Sequence, residues 1–282
     1  MLNEYRANVD LEDVKFWYNG YYWLKNRLYN PFTMLQFIRN KYLFLNYWNA
    51  SGTPTFLIKT LLHMNYFLPQ LPNAVVTHNV LDTSEIEGLN IEGLLFQCGY
   101  LTIEEKIIEK GELPRYRLRI PNYEVQLSLF DHISKYISGH SSNEQNTISQ
   151  GLKEVIKTAN LDKLESVLST MYSKIPYNNL THIAKYEGYY VSVLYAYLLA
   201  IGMEIIGEEV TNKGRIDLTI KHLNKIYIME FKLGEDDPLQ QIKERKYYEK
   251  YMNAGKEIYI IGINFNSEQR NVSKVVWEKL SN

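Results

Sequence analysis

Two acids and a lysine, Asp217, Glu230 and Lys232, have the types and the spacing to hold a cation and act beside it. They lie in residues 214–234, GRIDLTIKHLNKIYIMEFKLG, which reads as two strands joined by a short polar turn. Residues 215–220 alternate as half-buried strands do, which would put Ile216, Leu218 and Ile220 on one face. Residues 225–233 present Tyr227, Met229, Phe231 and Leu233 on their apolar face. A hairpin turning at 222–225 pairs Lys221 with Ile226, and counting outwards sets Asp217 opposite Glu230. Cross-strand neighbours are about 4.5–5.5 Å apart at Cβ. Lys232 shares parity with Glu230, so the three polar side chains leave one face. Two adjacent carboxylates repel unless one is protonated or a cation sits between them. A hard divalent ion such as Mg²⁺ suits them, since it takes oxygen ligands and keeps several waters. Charges on an exposed strand face are ordinary, and for an arbitrary hairpin that solvated reading comes first. Here Ile226 and Ile228 share the face, so it is partly covered, and a carboxylate among apolar neighbours needs a partner.

The elements that must position these residues belong to a chain of 282 residues, long enough for one or two domains with real cores. Its apolar fraction of 45% and charged fraction of 22% are those of a soluble globular protein. A net charge of −1 argues against a nucleic-acid coat or a polybasic tail. Cys98 is the only cysteine, which excludes an intrachain disulfide and a cysteine-rich zinc site. His63, His78, His132, His140, His182 and His222 are scattered without metal-ligand spacing. No apolar run reaches the roughly 18 residues of a membrane span, and the polar, acidic N-terminus is unlike a secretory signal. A cytoplasmic protein without a membrane partner is the expectation.

Residues 1–60 are dense in aromatics, among them Phe16, Trp17, Tyr18, Tyr21, Trp23, Tyr29, Phe32 and Trp48. Such rings can stack on bases, but they more often fill the core of a small helical unit. Pro31 begins a helix-like stretch with Phe32, Leu35 and Ile38 or Arg39 at helical spacing. No G-x-x-x-x-G-K-[ST] occurs, so ATP hydrolysis is not expected. Residues 54–64 and 82–99 suggest short helices, and strands at 100–103 and 116–120 flank a charged loop. Helices followed by two such strands suit a winged-helix-like hairpin. Arg115, Arg117 and Arg119 would leave one of its faces, and a packing or docking module is favoured over a DNA reader. Residues 124–137 read as an amphipathic helix. Residues 138–149, SGHSSNEQNTIS, are almost free of apolar side chains and read as a linker between an N-terminal domain, 1–137, and a C-terminal domain, 150–282.

In the C-terminal domain, helices at 151–158 and 162–173 precede a long helix over 179–201, in which Glu187 falls within an apolar stripe. A strand at 204–210 and the hairpin follow. Asp236-Asp237-Pro238 signals a helix start, and the helix over 239–253 carries Gln240, Gln241, Lys243, Arg245, Lys246 and Lys250. The apolar run EIYIIGINF at 257–265 reads as a buried central strand, and 272–280 as a last strand or helix. The domain is thus α/β, with order α-β-β-β-α-β.

This order, with Asp217 on one strand and Glu230-x-Lys232 on the next, resembles the PD-(D/E)XK nuclease superfamily. It is similar above all to the group whose nuclease domain follows an AAA-ATPase-like domain. The resemblance rests on Gly214-Arg215-Ile216-Asp217, Glu230-Phe231-Lys232, the Gln241-Ile242-Lys243-Glu244-Arg245-Lys246-Tyr247 helix and Gly262-Ile263-Asn264-Phe265, and it covers roughly residues 160–277. Residues 1–125 resemble the C-terminal part of the ATPase-like partner through Phe16-Trp17-Tyr18-Asn19-Gly20-Tyr21, Tyr29-Asn30-Pro31-Phe32 and Trp48-Asn49-Ala50-Ser51-Gly52-Thr53-Pro54. The nucleotide-binding front half of that pattern is not in the sequence.

The resemblance implies a restriction-endonuclease-like mixed sheet and metal-dependent hydrolysis of DNA or RNA phosphodiesters. Mg²⁺, or Mn²⁺, would be held by Asp217, Glu230 and Glu187, with the Phe231 carbonyl as a further ligand. Lys232 would orient or deprotonate the attacking water, and Gln241 would position substrate or water. Arg215, Lys243, Lys246 and Tyr247 would bind substrate. Nucleic acid is the implied partner, with a protein partner or self-association through the N-terminal domain. The contrasting expectation is a catalytically silent interaction or regulatory protein that keeps the fold, including an effector or toxin component.

Overall fold

The computed structural model describes residues 9–23, 26–48, 55–82, 90–175 and 186–280. The chain divides into two compact units, Met1–Tyr66 with Gln70–His132, and Phe67–Pro69 with Ile133–Asn282.

The first unit holds five helices, α1 (Leu11–Tyr18), α2 (Pro31–Arg39), α3 (Thr55–His63), α4 (His78–Asp82) and α5 (Ile91–Gln97), among its described residues, and α6 (Tyr123–Ser138) begins in it. Strands β1 (Asn19–Trp23) and β2 (Asn26–Tyr29) form a hairpin, and β3 (Val75–Thr77), β4 (Thr102–Ile107) and β5 (Arg115–Arg119) form an antiparallel sheet in the order β3-β5-β4. The aromatics mostly pack on one another: Val14, Tyr18, Phe37 and Tyr47 make a buried cluster with Trp17, Tyr29 and Phe44 against it. Buried Glu124 binds it together, accepting from the Tyr47 and Trp48 N–H groups at 2.7 and 2.8 Å and from the Thr33 hydroxyl at 3.1 Å. Gly20 permits the chain to lie against Pro121, whose oxygen a Cβ would meet at 1.8 Å. The expected inner face of α2 is its outer one: Thr33 and Phe37 are buried, while Phe32, Leu35 and Ile38 are exposed. The arginine stripe of β5 is neutralised locally, by Glu109 for Arg115, Glu105 for Arg117 and Glu104 for Arg119. The motif residues 49–54 and the helical expectation at 83–89 lie outside the described residues.

The polar run at 138–149 is not a spacer. Ser141 and Glu144 form a reciprocal capping box that starts α7 (Ser142–Thr158), and Gln145, Ile148, Leu152, Val155 and Ile156 are its buried face. Gln145 donates to Ser134 of α6 at 2.6 Å, and the division between the units falls within α6. The S-x-x-E signature was present; the paucity of apolar side chains hid it. α8 (Leu164–Ser173) and α9 (Glu187–Ala200) follow, and residues 176–185, which include the start of the long helix expected over 179–201, lie outside the described ones.

The second unit is built on five strands, β6 (Glu204–Thr211), β7 (Gly214–His222), β8 (Lys225–Leu233), β9 (Glu257–Asn266) and β10 (Asn271–Leu280), in the order β10-β9-β8-β7-β6. Every pairing is antiparallel except β8 with β9, which is parallel and bridged by α10 (Pro238–Arg245). Parallel neighbours need such a crossover. One sheet face packs on α9, where Tyr190 and Phe231 each stack on Phe265. α9 is buried on nearly every side from Tyr189 to Leu199, broader than a single apolar stripe. The other face carries Ile226, Ile228, Ile258 and Ile260 against Ile242, Tyr247 and Tyr251. The helix expected over 239–253 ends at Arg245: Lys246 turns into the left-handed region (φ 50°) and a 3₁₀ segment, Tyr247–Tyr251, follows. The break lets both tyrosines enter the core. No helix among the described residues is long and apolar enough to cross a membrane.

Buried Glu209 fastens that segment to the sheet. It accepts from Lys250 Nζ and Thr219 Oγ1, each at 2.6 Å, and from the Tyr251 hydroxyl. Burial opposes its charge, but these donors outweigh burial and hold the carboxyl below its ordinary 4.5. A depressed carboxyl stabilises the fold above the unfolded-state value and loses that contribution as pH falls through the folded one. Glu209→Ala is therefore expected to cost about 2–3 kcal/mol at pH 7. In urea denaturation the gap to wild type should narrow below about pH 4.5, the ordinary value.

Candidate functional site

β7 and β8 pair as Leu218↔Met229, Thr219↔Ile228, Ile220↔Tyr227, Lys221↔Ile226 and His222↔Lys225. This is the register read from the sequence, and one further step of it would set Asp217 opposite Glu230. The β7–β8 ladder itself stops at Leu218↔Met229. The Asp217 side chain takes over, its Oδ2 accepting from the Phe231 N–H at 2.9 Å. On the β6 side, Glu208 is left-handed (φ 54°), and the β6–β7 pairs resume at Glu209↔Ile216. The strands thus kink at Glu208 and Asp217. The kink corrects one expectation: Ile216 does not share a face with Leu218 and Ile220 but joins Ile226, Ile228 and Ile242 on the other.

Glu230 sits on central β8, is 2% exposed, and faces α10. Its Oε1 accepts from Lys232 Nζ at 3.2 Å and from the Gln241 amide, whereas Oε2 has no hydrogen-bond partner. Gln241 arrives because Gly262 on β9 allows α10 to press down. A Cβ at Gly262 would meet the Leu239 nitrogen at 2.7 Å and Pro238 Cγ at 2.8 Å. That contact gives the glycine of the Gly262–Phe265 motif a role.

Glu187 does not lie mid-helix. It is the first residue of α9, where the positive helix end favours an anion, and its Oε2 accepts from the Leu233 N–H at 3.0 Å. Asp217 and Glu187 are thus both tied to backbone of β8, through Phe231 and Leu233, and each keeps its second oxygen. Among the described residues, no three His, Cys, Asp or Glu groups stand at the spacing of a ready metal cage.

The charges report on one another. Burial, then the negative charge of Asp217, pushes Glu230 up to about 8, against the pull of Lys232. Burial also raises Asp217 and Glu187, partly offset by Lys232 and by the backbone N–H each accepts. Burial works against the Lys232 ammonium, but Glu230, Glu187 and Asp217 outweigh it and keep its affinity for protons above the ordinary value. Three carboxylates therefore share Lys232, with Arg215 acting on Asp217 alone, and a buried carboxylate oxygen is left unmatched. A divalent cation meets both deficits, so the donor set fits an oxygen-liganded ion such as Mg²⁺.

The expected substrate contacts fare unevenly. Tyr247 is 4% exposed and belongs to the core, because the break at Lys246 turns it inwards, so it is not a surface contact. Lys243 reaches away from the carboxylates, to Glu278 of β10 at 2.5 Å. Lys246 lies 3.9 Å from Glu249 on the exposed side of the helix end. Arg215 stays beside the site, where its charge lowers Asp217, and it pairs with Glu208 at 2.5 Å. Sequence reasoning missed Glu208. Burial raises its carboxyl, Arg215 opposes that, and Asp217 adds to it, so Glu208 is a fourth acid near the cluster. A Glu-Glu pair at the end of a strand was the one available sign.

Residues 185–275 match the family model described as PD-(D/E)XK nuclease superfamily, an interval that contains Glu187, Asp217, Glu230, Lys232 and Gln241. The five-stranded mixed sheet with its flanking helices is consistent with that fold. The chain is also 35% identical over 279 residues to a protein of Azotobacter chroococcum mcd 1 described as an uncharacterized protein in the vnfD 5′ region. That similarity covers 96% of this chain and 53% of the relative, so the chain spans about half the relative's length. No solved structure matches.

Proposed function

We propose that this chain is a metal-dependent nuclease that hydrolyses phosphodiester bonds of DNA or RNA at Asp217, Glu230 and Lys232. The observation that carries the reading is Glu230: a buried carboxylate with one oxygen unpartnered, in a cluster short of positive charge. A structural carboxylate would have its oxygens satisfied, as Glu209 has.

Asp217, Glu230 and Glu187 would hold Mg²⁺ or Mn²⁺. When bound, the ion supplies positive charge that stabilises the phosphate in the transition state and acidifies a water. The chain's own residues do the rest. Lys232 holds its ammonium beside Glu230, where it orients the attacking water and neutralises charge developing on phosphate. Gln241 fixes the Glu230 rotamer through Oε1 and leaves Oε2 available. Arg215, at the edge of the cluster, meets a neighbouring phosphate. Such contacts give affinity without sequence preference. For residues 1–137 we propose a partner or self-association module related to the C-terminal part of an ATPase-like domain, in line with a relative about twice as long. The neutralised arginines of β5 support docking over DNA reading.

The test is cleavage of single- and double-stranded DNA and RNA with Mg²⁺, Mn²⁺ or EDTA, by wild type and Lys232→Ala. Cleavage should require metal and fall by about 10²–10³-fold in the variant, the loss typical of one transition-state donor. Equal rates in the two proteins would favour a silent scaffold.

A further inference from the structure

A cavity of about 500 Å³ adjoins the carboxylate cluster between the start of β7 and α10, lined by Gly214, Asp237, Gln240, Gln241, Glu244, Arg245 and Tyr247. Its size falls within the range of about 300–1,000 Å³ usual for ligand pockets. Gln241 connects the two places, lining the cavity while its amide donates to Glu230. A group seated in the cavity is therefore the immediate neighbour of one reacting at Glu230.

The lining groups are held in place by their own hydrogen bonds. Asp237 accepts from the Gln240 backbone N–H at 2.9 Å and so fixes the first turn of α10. The Gln240 side-chain nitrogen donates to Glu244 Oε1 at 2.8 Å. That bond leaves the Gln240 carbonyl oxygen and Glu244 Oε2 as two adjacent acceptors. One turn on, Arg245 is exposed and makes no ion pair among the described residues, whereas Lys243, Lys246 and Lys250 each approach a carboxylate. Two acceptors beside an uncommitted guanidinium match a nucleotide whose base offers an amino group and whose phosphate reaches the arginine. Carboxylates accept from the cytosine amino group in the same way at other nucleic-acid interfaces.

We propose that this cavity is a nucleotide subsite beside the cleavage centre. Gln240 and Glu244 select a base with an exocyclic amino group, and Arg245 holds that nucleotide's phosphate. The inference rests on the nuclease reading for its polymer substrate, and it adds a base preference that the carboxylate cluster alone would lack.

Binding without cleavage separates the two claims. Fluorescence anisotropy of labelled dC10 and dU10, in EDTA, compares chains whose bases differ in the amino group of cytosine against the carbonyl of uracil. Wild type should bind dC10 at least about fivefold more tightly. Gln240→Ala and Glu244→Ala should bring dC10 to the dU10 affinity, and Arg245→Ala should weaken both and flatten their salt dependence. All three sites are on the exposed side of α10, and circular dichroism verifies folding. Equal binding of the two decamers, a preference that survives both acceptor substitutions, or no binding would overturn the subsite. A dC10 preference that these variants erase, without cleavage in Mg²⁺, would uphold the subsite and reject the nuclease.

Discussion

Asp217→Ala is expected to lower the proposed metal-dependent cleavage by about 10²–10⁴-fold and to leave the protein folded. The magnitude follows from its double duty. Charge stabilisation by a correctly held ion is worth several kcal/mol, and each 1.36 kcal/mol is a factor of ten in rate. Losing Asp217 removes one of two facing carboxylates, so the ion would be held less tightly and less well placed. The same side chain accepts from the Phe231 N–H, where the β7–β8 ladder has ended. Alanine leaves that donor to water or unpaired, a cost of about 1–3 kcal/mol if it stays buried. Against it, the substitution removes a charge that raises both Glu230 and Glu187. The two effects oppose, so Tm should move little while activity collapses. Single-turnover rates beside thermal melts provide the check.

Glu230→Gln gives the second large effect, with opposite signs for stability and function. The neutral amide fills the same space, ends the repulsion with Asp217 and Glu187, and can offer its nitrogen where Oε2 has no partner. Metal-free protein should gain about 1–2 kcal/mol, as sites kept strained for activity commonly do when neutralised. Excess Mg²⁺ should raise the stability of wild type, by about 2.7 kcal/mol at one hundred times Kd, and leave the variant unmoved. Cleavage by the variant should fall by at least about 10²-fold. Differential scanning calorimetry with and without Mg²⁺ reads both stability claims. A variant that is less stable without metal, yet still stabilised by Mg²⁺, would make Glu230 a packing residue.

The hairpin was legible because alternation and the two-residue turn fix register together, and a one-residue slip would have turned Glu230 to the wrong face. Its surroundings were less so. Nothing in the periodicity announces the kink at Glu208, which sends Ile216 to the other side and brings a further acid towards Asp217. The stretch from Pro238 to Met252 is helix-prone throughout, and its break at Lys246 comes from the core's demand for Tyr247 and Tyr251. Tertiary packing overrides propensity at such points. That break also turns Tyr247 into the core, where it reaches the cavity only from beneath, and leaves Arg245 at the last turn before it on the exposed side. An apolar stripe points to Glu187 only indirectly; it is the helix start that puts its carboxylate within reach of β8. Gly262 carries the most information per residue in the resemblance, because its missing Cβ is what seats Gln241 over Glu230.

These acids and Lys232 are proposed to form a metal-dependent phosphodiesterase centre. Its most direct test carries one preparation from EDTA into excess Mg²⁺ and back, following a labelled oligonucleotide, with Asp217→Ala alongside. Wild-type cleavage should appear with Mg²⁺ and stop with EDTA, and it should be nearly absent from the folded variant throughout. Cleavage that persists in EDTA, cleavage by Asp217→Ala at the wild-type rate, or no cleavage by folded wild type in Mg²⁺ would contradict the proposal.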